Sequence, residues 1–313
     1  MKAKHVIIYL LLVIVTSSCI RDEAPNAEAD ILSCRLPGIT MTTSPIINNN
    51  SVTLFVTPGT NISALAPEFT LTSGATITPA SGTERNFNSP QEYQVTAADG
   101  IWKKTYAISV IDTELATIYN FEDTISGKKY YIFVERENDK VIMEWASGNA
   151  GYAMTGVAKT ADDYPTFQIA NGKNGKCLSL VTRSTGFFGG LVGMPIAAGN
   201  LFIGSFDVNN AMSNPLQATK FGLPFRHVPT YLAGYYKYKA GDQFTEGGKP
   251  VEGKHDICDI YAIMYETSVS VPTLDGTNAF TSPNLVSMAR IKDAKETDEW
   301  TYFKLPFTTL PGL

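Results

Sequence analysis

Between positions 52 and 111 the sequence breaks into short runs whose apolar residues recur at every second position, each run ended by a turn signal. Val52, Leu54 and Val56 line one face and stop at Pro58-Gly59. The runs Glu68–Leu71, Ala75–Ile77, Glu92–Thr96 and Lys104–Ile111 follow, set apart by Ser73-Gly74, Pro79 to Gly82, and Asp99-Gly100. A period of two sends successive side chains to opposite faces, so such runs read as half-buried strands and not as helices. Short strands at this spacing predict a β-sandwich. Similar runs recur in the second half, and the expected fold class is all-β. With 313 residues the chain has room for about two domains, each able to bury a core.

Strand periodicity also assigns faces in the second half. In Tyr231–Lys239, Leu232, Gly234, Tyr236 and Tyr238 share one face, expected to be buried, while Tyr231, Ala233, Tyr235, Lys237 and Lys239 share the other. In Asp256–Glu266 the apolar set Cys258, Ile260, Ala262 and Met264 reads as a buried strand face opposite Ile257, Asp259, Tyr261, Ile263 and Tyr265. Sugar rings pack their apolar C–H faces on aromatic planes, while their hydroxyls need charged or amide partners of fixed direction. Tyr235, Lys237, Asp259 and Tyr261 therefore form a candidate carbohydrate-binding platform. The competing reading is a solvated face with tyrosines covering the sheet. Trp145 alternates with Val141 and Met143, which fits core packing or sugar stacking. Asn149, in the loop Ser147-Gly148-Asn149-Ala150-Gly151, either presents its amide to a ligand or takes a left-handed conformation.

Composition removes several function classes. Charged residues are 18% and hydrophobic ones 44% of the chain, which argues for a packed globular fold. Lys plus Arg number 25 against 30 Asp plus Glu, and without Lys2 and Lys4 the balance is 23 − 30 = −7. A nucleic-acid surface needs the opposite bias, so no nucleic-acid partner is expected. Beyond His5, only His227 and His255 occur, outside any zinc-type spacing. No Gly-x-Ser-x-Gly elbow, His-Glu-x-x-His helix or Gly-rich phosphate loop is present.

Lys2 and Lys4 precede the apolar run Val6–Val15, long enough for a signal-peptide core and about half a membrane span. Thr16-Ser17-Ser18-Cys19 resembles a bacterial lipobox, with Thr16 where that pattern prefers Leu. The resemblance implies a signal peptide over 1–18, acylation of Cys19, and a lipid anchor in the outer membrane. Arg21-Asp22-Glu23 is similar to the signal that sends lipoproteins to the outer face of some Gram-negative glycan-degrading bacteria. Residues 19–37 are then a lipidated tether and the expected location is the cell surface. Without Cys19, the odd set Cys34, Cys177 and Cys258 allows at most one disulfide.

Phe69 to Val110 resembles the immunoglobulin-like modules that precede larger domains in bacterial surface lipoproteins. The resemblance implies a sandwich over 38–112 that acts as a spacer, with Tyr93 and Val95 facing its core. After a hinge at Asp112 to Thr117, Tyr119-Asn120-Phe121-Glu122 is expected to open a new strand. The blocks Glu144 to Tyr152, Ala198 to Phe206, Phe221 to Phe225, Gly234 to Gly241 and Asp256 to Ala262 together resemble the putative carbohydrate metabolism domain, implying a jelly-roll over 118–313. Carbohydrate-binding jelly-rolls often hold a structural calcium through a Glu that follows the first strand's Phe. Phe121-Glu122 matches, which makes Glu122 a candidate metal ligand and calcium a candidate cofactor. The remaining carboxylates would lie on a closing strand some tens of residues past the block Trp300, Phe303, Pro306 and Phe307. The sequence ends at Leu313, so the expectation is either a shortened member lacking that strand or a truncated product with an unpaired sheet edge.

The leading expectation is a surface lipoprotein that binds a polysaccharide or oligosaccharide, with no catalysis of its own established. One alternative is a structural or adhesion protein, pilus-like or part of the envelope, with a cell-surface protein partner. The other is a glycoside hydrolase or lyase, which needs two facing carboxyls. Glu122, Glu144, Asp256, Asp259 and Glu266 are candidates, and no motif selects a pair among them.

Overall fold

The computed structural model describes residues 25–268 and 270–309; the signal segment, Cys19 and Arg21-Asp22-Glu23 lie outside the described residues. The chain is all-β. In the N-terminal part the strands are β1 Ile31–Arg35, β2 Ile46–Ile47, β3 Ser51–Phe55, β4 Glu68–Leu71, β5 Thr76–Thr78, β6 Gln91–Thr96 and β7 Lys103–Ile111. β1 pairs with β4, and the other five form a sheet in the order β2-β3-β7-β6-β5, in which β3 and β7 run parallel. Both sheets turn their apolar faces to one core. Val52 and Leu54 of β3, Tyr93 and Val95 of β6, and Tyr106, Ile108 and Val110 of β7 are buried there with Ile31 and Cys34 of β1.

β1 corrects the expected tether, which was drawn to residue 37. A register irregularity between Ile31 and Ser33 lets Ile31 and Cys34 both point inward, so the buried positions are three apart and the period of two is lost. The entry to this strand is pinned by Asp30. Its carboxylate accepts from Lys104 Nζ at 2.5 Å and from the Tyr106 hydroxyl at 3.0 Å, and the Lys104 ammonium holds the Asp30 carboxyl below its usual range.

All three described cysteines are free. Cys34 is only 4% exposed, and burial pushes its thiol up to about 12 from 9.0. The thiolate is the reactive form, so this burial protects the sulfur. Alkylation of the native protein followed by peptide mass mapping should leave Cys34 unmodified until the chain is denatured, while the half-buried Cys177 and Cys258 are modified first.

Residues beyond 118 form several small antiparallel sheets. Val134–Glu137 and Lys140–Glu144 make a hairpin whose two turn residues, Asn138 and Asp139, both have positive φ, the geometry a two-residue turn requires. Thr166–Ile169 pairs with Cys177–Leu180, and Gly204–Phe206, Thr219–Phe221 and Leu274–Asp275 form a three-stranded sheet. The long strands Tyr231–Tyr238 and Thr297–Pro306 pair with each other, and Tyr261–Tyr265 pairs with Leu285–Arg290, which also pairs with Thr308–Thr309. One expected strand is absent and another is shortened. Tyr119-Asn120-Phe121-Glu122 is not extended, because Phe121 sits at φ 57, and Asp256 to Ile260 precede a strand that begins only at Tyr261.

The two parts touch through the pairs Lys140–Asp112, at 2.7 Å, and His227–Glu114, at 2.8 Å. Between them lies an open cleft of about 1710 Å³, with Asn48, Asn49 and Asn50 on one side and Tyr130, Trp145 and Tyr265 on the other.

Candidate functional site

The strand Tyr231–Tyr238 alternates exposed and half-buried along its whole length, as its sequence predicts. Leu232, Gly234, Tyr236 and Tyr238 turn inward, and the Phe303 ring of the neighbouring strand lies against Gly234, where a Cβ would come within 3.0 Å of it. The other face is open. Tyr231, Tyr235 and Tyr302 are 53%, 47% and 55% exposed, values that leave ring surface available for contact. Register sets their arrangement: Tyr235 stands opposite Tyr302, and Ala233 stands opposite Lys304. The Tyr235 and Tyr302 rings are 5.2 Å apart and tilted by 53°. Tyr231 lies four residues back along the strand, about 13 Å away, with the small Ala233 between them as a shallow floor.

Three lysines border this strip. Lys173, from the turn before Cys177–Leu180, holds its ammonium 4.1 Å from the Tyr235 ring centre. Lys304 lies 4.0 Å from the Tyr231 ring centre and Lys237 lies 5.5 Å from Trp300.

Tyr261 belongs to a different sheet and Asp259 to the segment just before its strand, so the four-residue platform read from the sequence divides. Arg290 grips Asp259 in a bidentate pair, Nε to Oδ1 at 3.0 Å and Nη2 to Oδ2 at 2.7 Å. The guanidinium also lies 4.2 Å from the Phe280 ring centre, and Tyr261 packs on Phe280 at 4.9 Å. Burial, with Asp259 adding to it, pushes the Tyr261 hydroxyl above its usual range. Asp259 is thus engaged by an arginine 31 positions away, a pairing that strand periodicity does not reveal.

Asn149 requires a correction. It opens the short helix Asn149–Tyr152 and is fully buried, so it neither presents an amide to solvent nor adopts a left-handed backbone. Its Nδ2 donates to the Thr166 carbonyl at 2.7 Å and its Oδ1 accepts the Thr166 N–H at 3.1 Å. Trp145 is half-buried at the cleft, packed against Tyr119 and Phe121, and its indole N–H donates to Glu135 at 2.8 Å.

Glu122 does not fit a calcium site. Its Oε1 accepts the Lys176 N–H at 2.9 Å, and Gln168 donates to the carbonyls of Phe121 and Glu122. Gly175, at φ +73, leaves space for that carboxylate: a Cβ there would clash with Oε1. Among the described residues no three His, Cys, Asp or Glu side chains gather as a metal site.

Among the described residues the cleft contains one uncommitted carboxyl. Of its three lining acids, Asp30 is paired with Lys104 and Asp207 caps a short turn by accepting from Asn209 and Asn210; Glu144 has neither engagement. Although it reaches solvent, Glu144 sits among enclosing cleft walls, and this desolvation pushes its carboxyl above the usual range against the pull of Lys128. A raised carboxyl binds its proton more tightly in the folded chain, so stability falls as pH climbs from the unfolded value of 4.5 through the folded one. Glu144→Gln should therefore raise the melting temperature at about pH 8 and leave it unchanged at about pH 3, as read by scanning fluorimetry.

The family model described as "Putative carbohydrate metabolism domain" matches residues 120–312. The chain belongs to the putative carbohydrate metabolism domain family. Residues 31–110 match a second family model, described as "SGBP, N-terminal", whose start coincides with β1. A crystal structure from Bacteroides thetaiotaomicron VPI-5482, described as a putative glycoside hydrolase, is 84% identical over 93% of this chain and 86% of that one, with a TM-score of 0.89. Another from Bacteroides vulgatus ATCC 8482, with the same description, is 48% identical over 61% of this chain and 78% of that one, with a TM-score of 0.57. Comparison with curated proteins gives no match.

Proposed function

We propose that this member of the carbohydrate-related family is a lipid-anchored cell-surface protein that captures a polysaccharide or oligosaccharide on the strip Tyr231, Tyr235 and Tyr302. The observation that carries the reading is the row of three half-exposed tyrosines held in register on a sheet whose other face is packed. Rings fixed by backbone pairing offer stacking surface with little conformational entropy left to lose, which suits binding to flat sugar faces. The SGBP, N-terminal match and the lipobox-like Cys19 support a surface location. Affinity gel electrophoresis against starch, galactomannan, xylan, polygalacturonate and chondroitin sulfate tests the reading. At least one polymer should retard the chain, and Tyr235→Ala should weaken that retardation.

Glycoside hydrolysis is the second reading, favoured by the description of the Bacteroides thetaiotaomicron relative and by the raised Glu144 carboxyl. It needs a second free carboxyl facing the first across the scissile bond. Asp30 and Asp207 are both held by other groups in this cleft, which favours capture over cleavage.

A further inference from the structure

From the charge on the tyrosine strip we infer that the ligand it takes is an acidic glycan, one carrying uronate or sulfate groups; the inference rests on the capture reading above. Eight ion pairs occur among the described residues, and none of them uses Lys173, Lys237 or Lys304. Each of these ammonium groups instead lies against an aromatic ring, at 4.1, 5.5 and 4.0 Å from the ring centres. Glu122, in the segment packed against the Lys173 turn, is directed to the Lys176 N–H. The strip therefore carries three cations without carboxylate partners on a chain whose formal net charge is −5.

This arrangement discriminates between sugar classes. A neutral ring stacking on the covered face of Tyr231 or Tyr235 has to displace a lysine and lose its cation–π contact. A uronate or sulfate beside the same ring takes the ammonium as a counter-ion, so stacking and charge pairing occur together. The spacing also suits a polymer: Lys304 serves the Tyr231 end and Lys173 the Tyr235 end, about 13 Å along the strand. A single small anion cannot engage both.

The test is isothermal titration of the full chain with oligogalacturonate, chondroitin sulfate oligosaccharide, maltoheptaose and mannohexaose. Binding to an acidic oligosaccharide is expected, weakening with added salt and falling at least about tenfold in the triple variant Lys173→Gln/Lys237→Gln/Lys304→Gln. Near-ultraviolet circular dichroism of that variant should match the parent, because all three side chains are exposed. Binding to a neutral oligosaccharide alone, lost in Tyr235→Ala but retained in the triple lysine variant, would overturn the acidic class and leave the capture reading intact. Binding to none of the four, or only to phosphatidylglycerol vesicles, would overturn the acidic class, and would overturn the capture reading too if no polymer retards the chain.

Discussion

Asn149→Ala should be among the most destabilising single substitutions in the second half of the chain, costing about 2–5 kcal/mol. The amide is fully buried and satisfies both backbone groups of Thr166, itself 1% exposed. Truncation strands a buried N–H and a buried C=O, and each costs about 1–3 kcal/mol when left unpaired. For a chain of this size the melting temperature should fall by roughly 5–15 °C. Asn149→Asp separates a lost hydrogen bond from a lost volume. The carboxylate can still accept from the Thr166 N–H, but its second oxygen faces the Thr166 carbonyl and repels it. Only the protonated acid restores a donor there. The folded-state pKa of that new carboxyl is therefore raised, and the Asp variant should regain stability as pH falls through it, whereas the Ala variant should not. Urea denaturation at several pH values reads both. A loss below about 0.5 kcal/mol for Asn149→Ala would mean that the clamp is not formed.

The second large effect concerns the tyrosine strip. Tyr235→Ala and Tyr302→Ala should each weaken carbohydrate binding by about tenfold, and the double variant should lose more than either but less than about a hundredfold. The two rings are neighbours 5.2 Å apart, so their effects should not add: whichever is removed first also removes support from the other. Folding should be almost unaffected, because both side chains point away from the face that packs on Leu232, Tyr236 and Phe303. Tyr235→Phe should retain most of the affinity where stacking dominates and lose it where the hydroxyl is the recognised group.

Much of the N-terminal half was legible in the sequence because its strands are half-buried and end at strong turn signals. Glu68–Leu71 is a strand with the boundaries read from its residues, and the runs at 92–96 and 104–111 lengthen by a single residue at the start. Ile31–Arg35 was not legible, since its irregular register buries positions three apart and leaves Leu32 and Ser33 exposed between them. Phe121 misled for another reason: an aromatic between polar residues resembles a strand start, while in the folded chain its backbone is left-handed and its ring packs against Phe133 and Trp145.

The site was legible by strand and not by pairing. Alternation put Tyr231, Tyr235 and Lys237 on one face, as the exposure pattern has it. The partners Tyr302 and Lys304 come from a strand some seventy positions later, and Lys173 from a turn some sixty positions earlier. The alternation Trp300, Tyr302, Lys304 was itself a signal that could have found the second strand. No periodicity specifies that Arg290 takes Asp259 or that Thr166 takes Asn149. Burial forces the Asn149 amide and the Thr166 backbone to find partners, whereas Arg290 and Asp259 meet at the surface; in both cases the fold chooses the partner.

The measurement that bears most directly on the account is a calorimetric titration with an oligosaccharide cut from whichever polymer retards the chain, run on three proteins. These are the parent, the strip variant Tyr235→Ala/Tyr302→Ala, and the cleft variant Glu144→Gln. The account predicts that the parent and the cleft variant bind alike while the strip variant loses at least about tenfold in affinity. Undiminished binding by the strip variant, with loss in the cleft variant, would contradict it and move the carbohydrate site to the cleft.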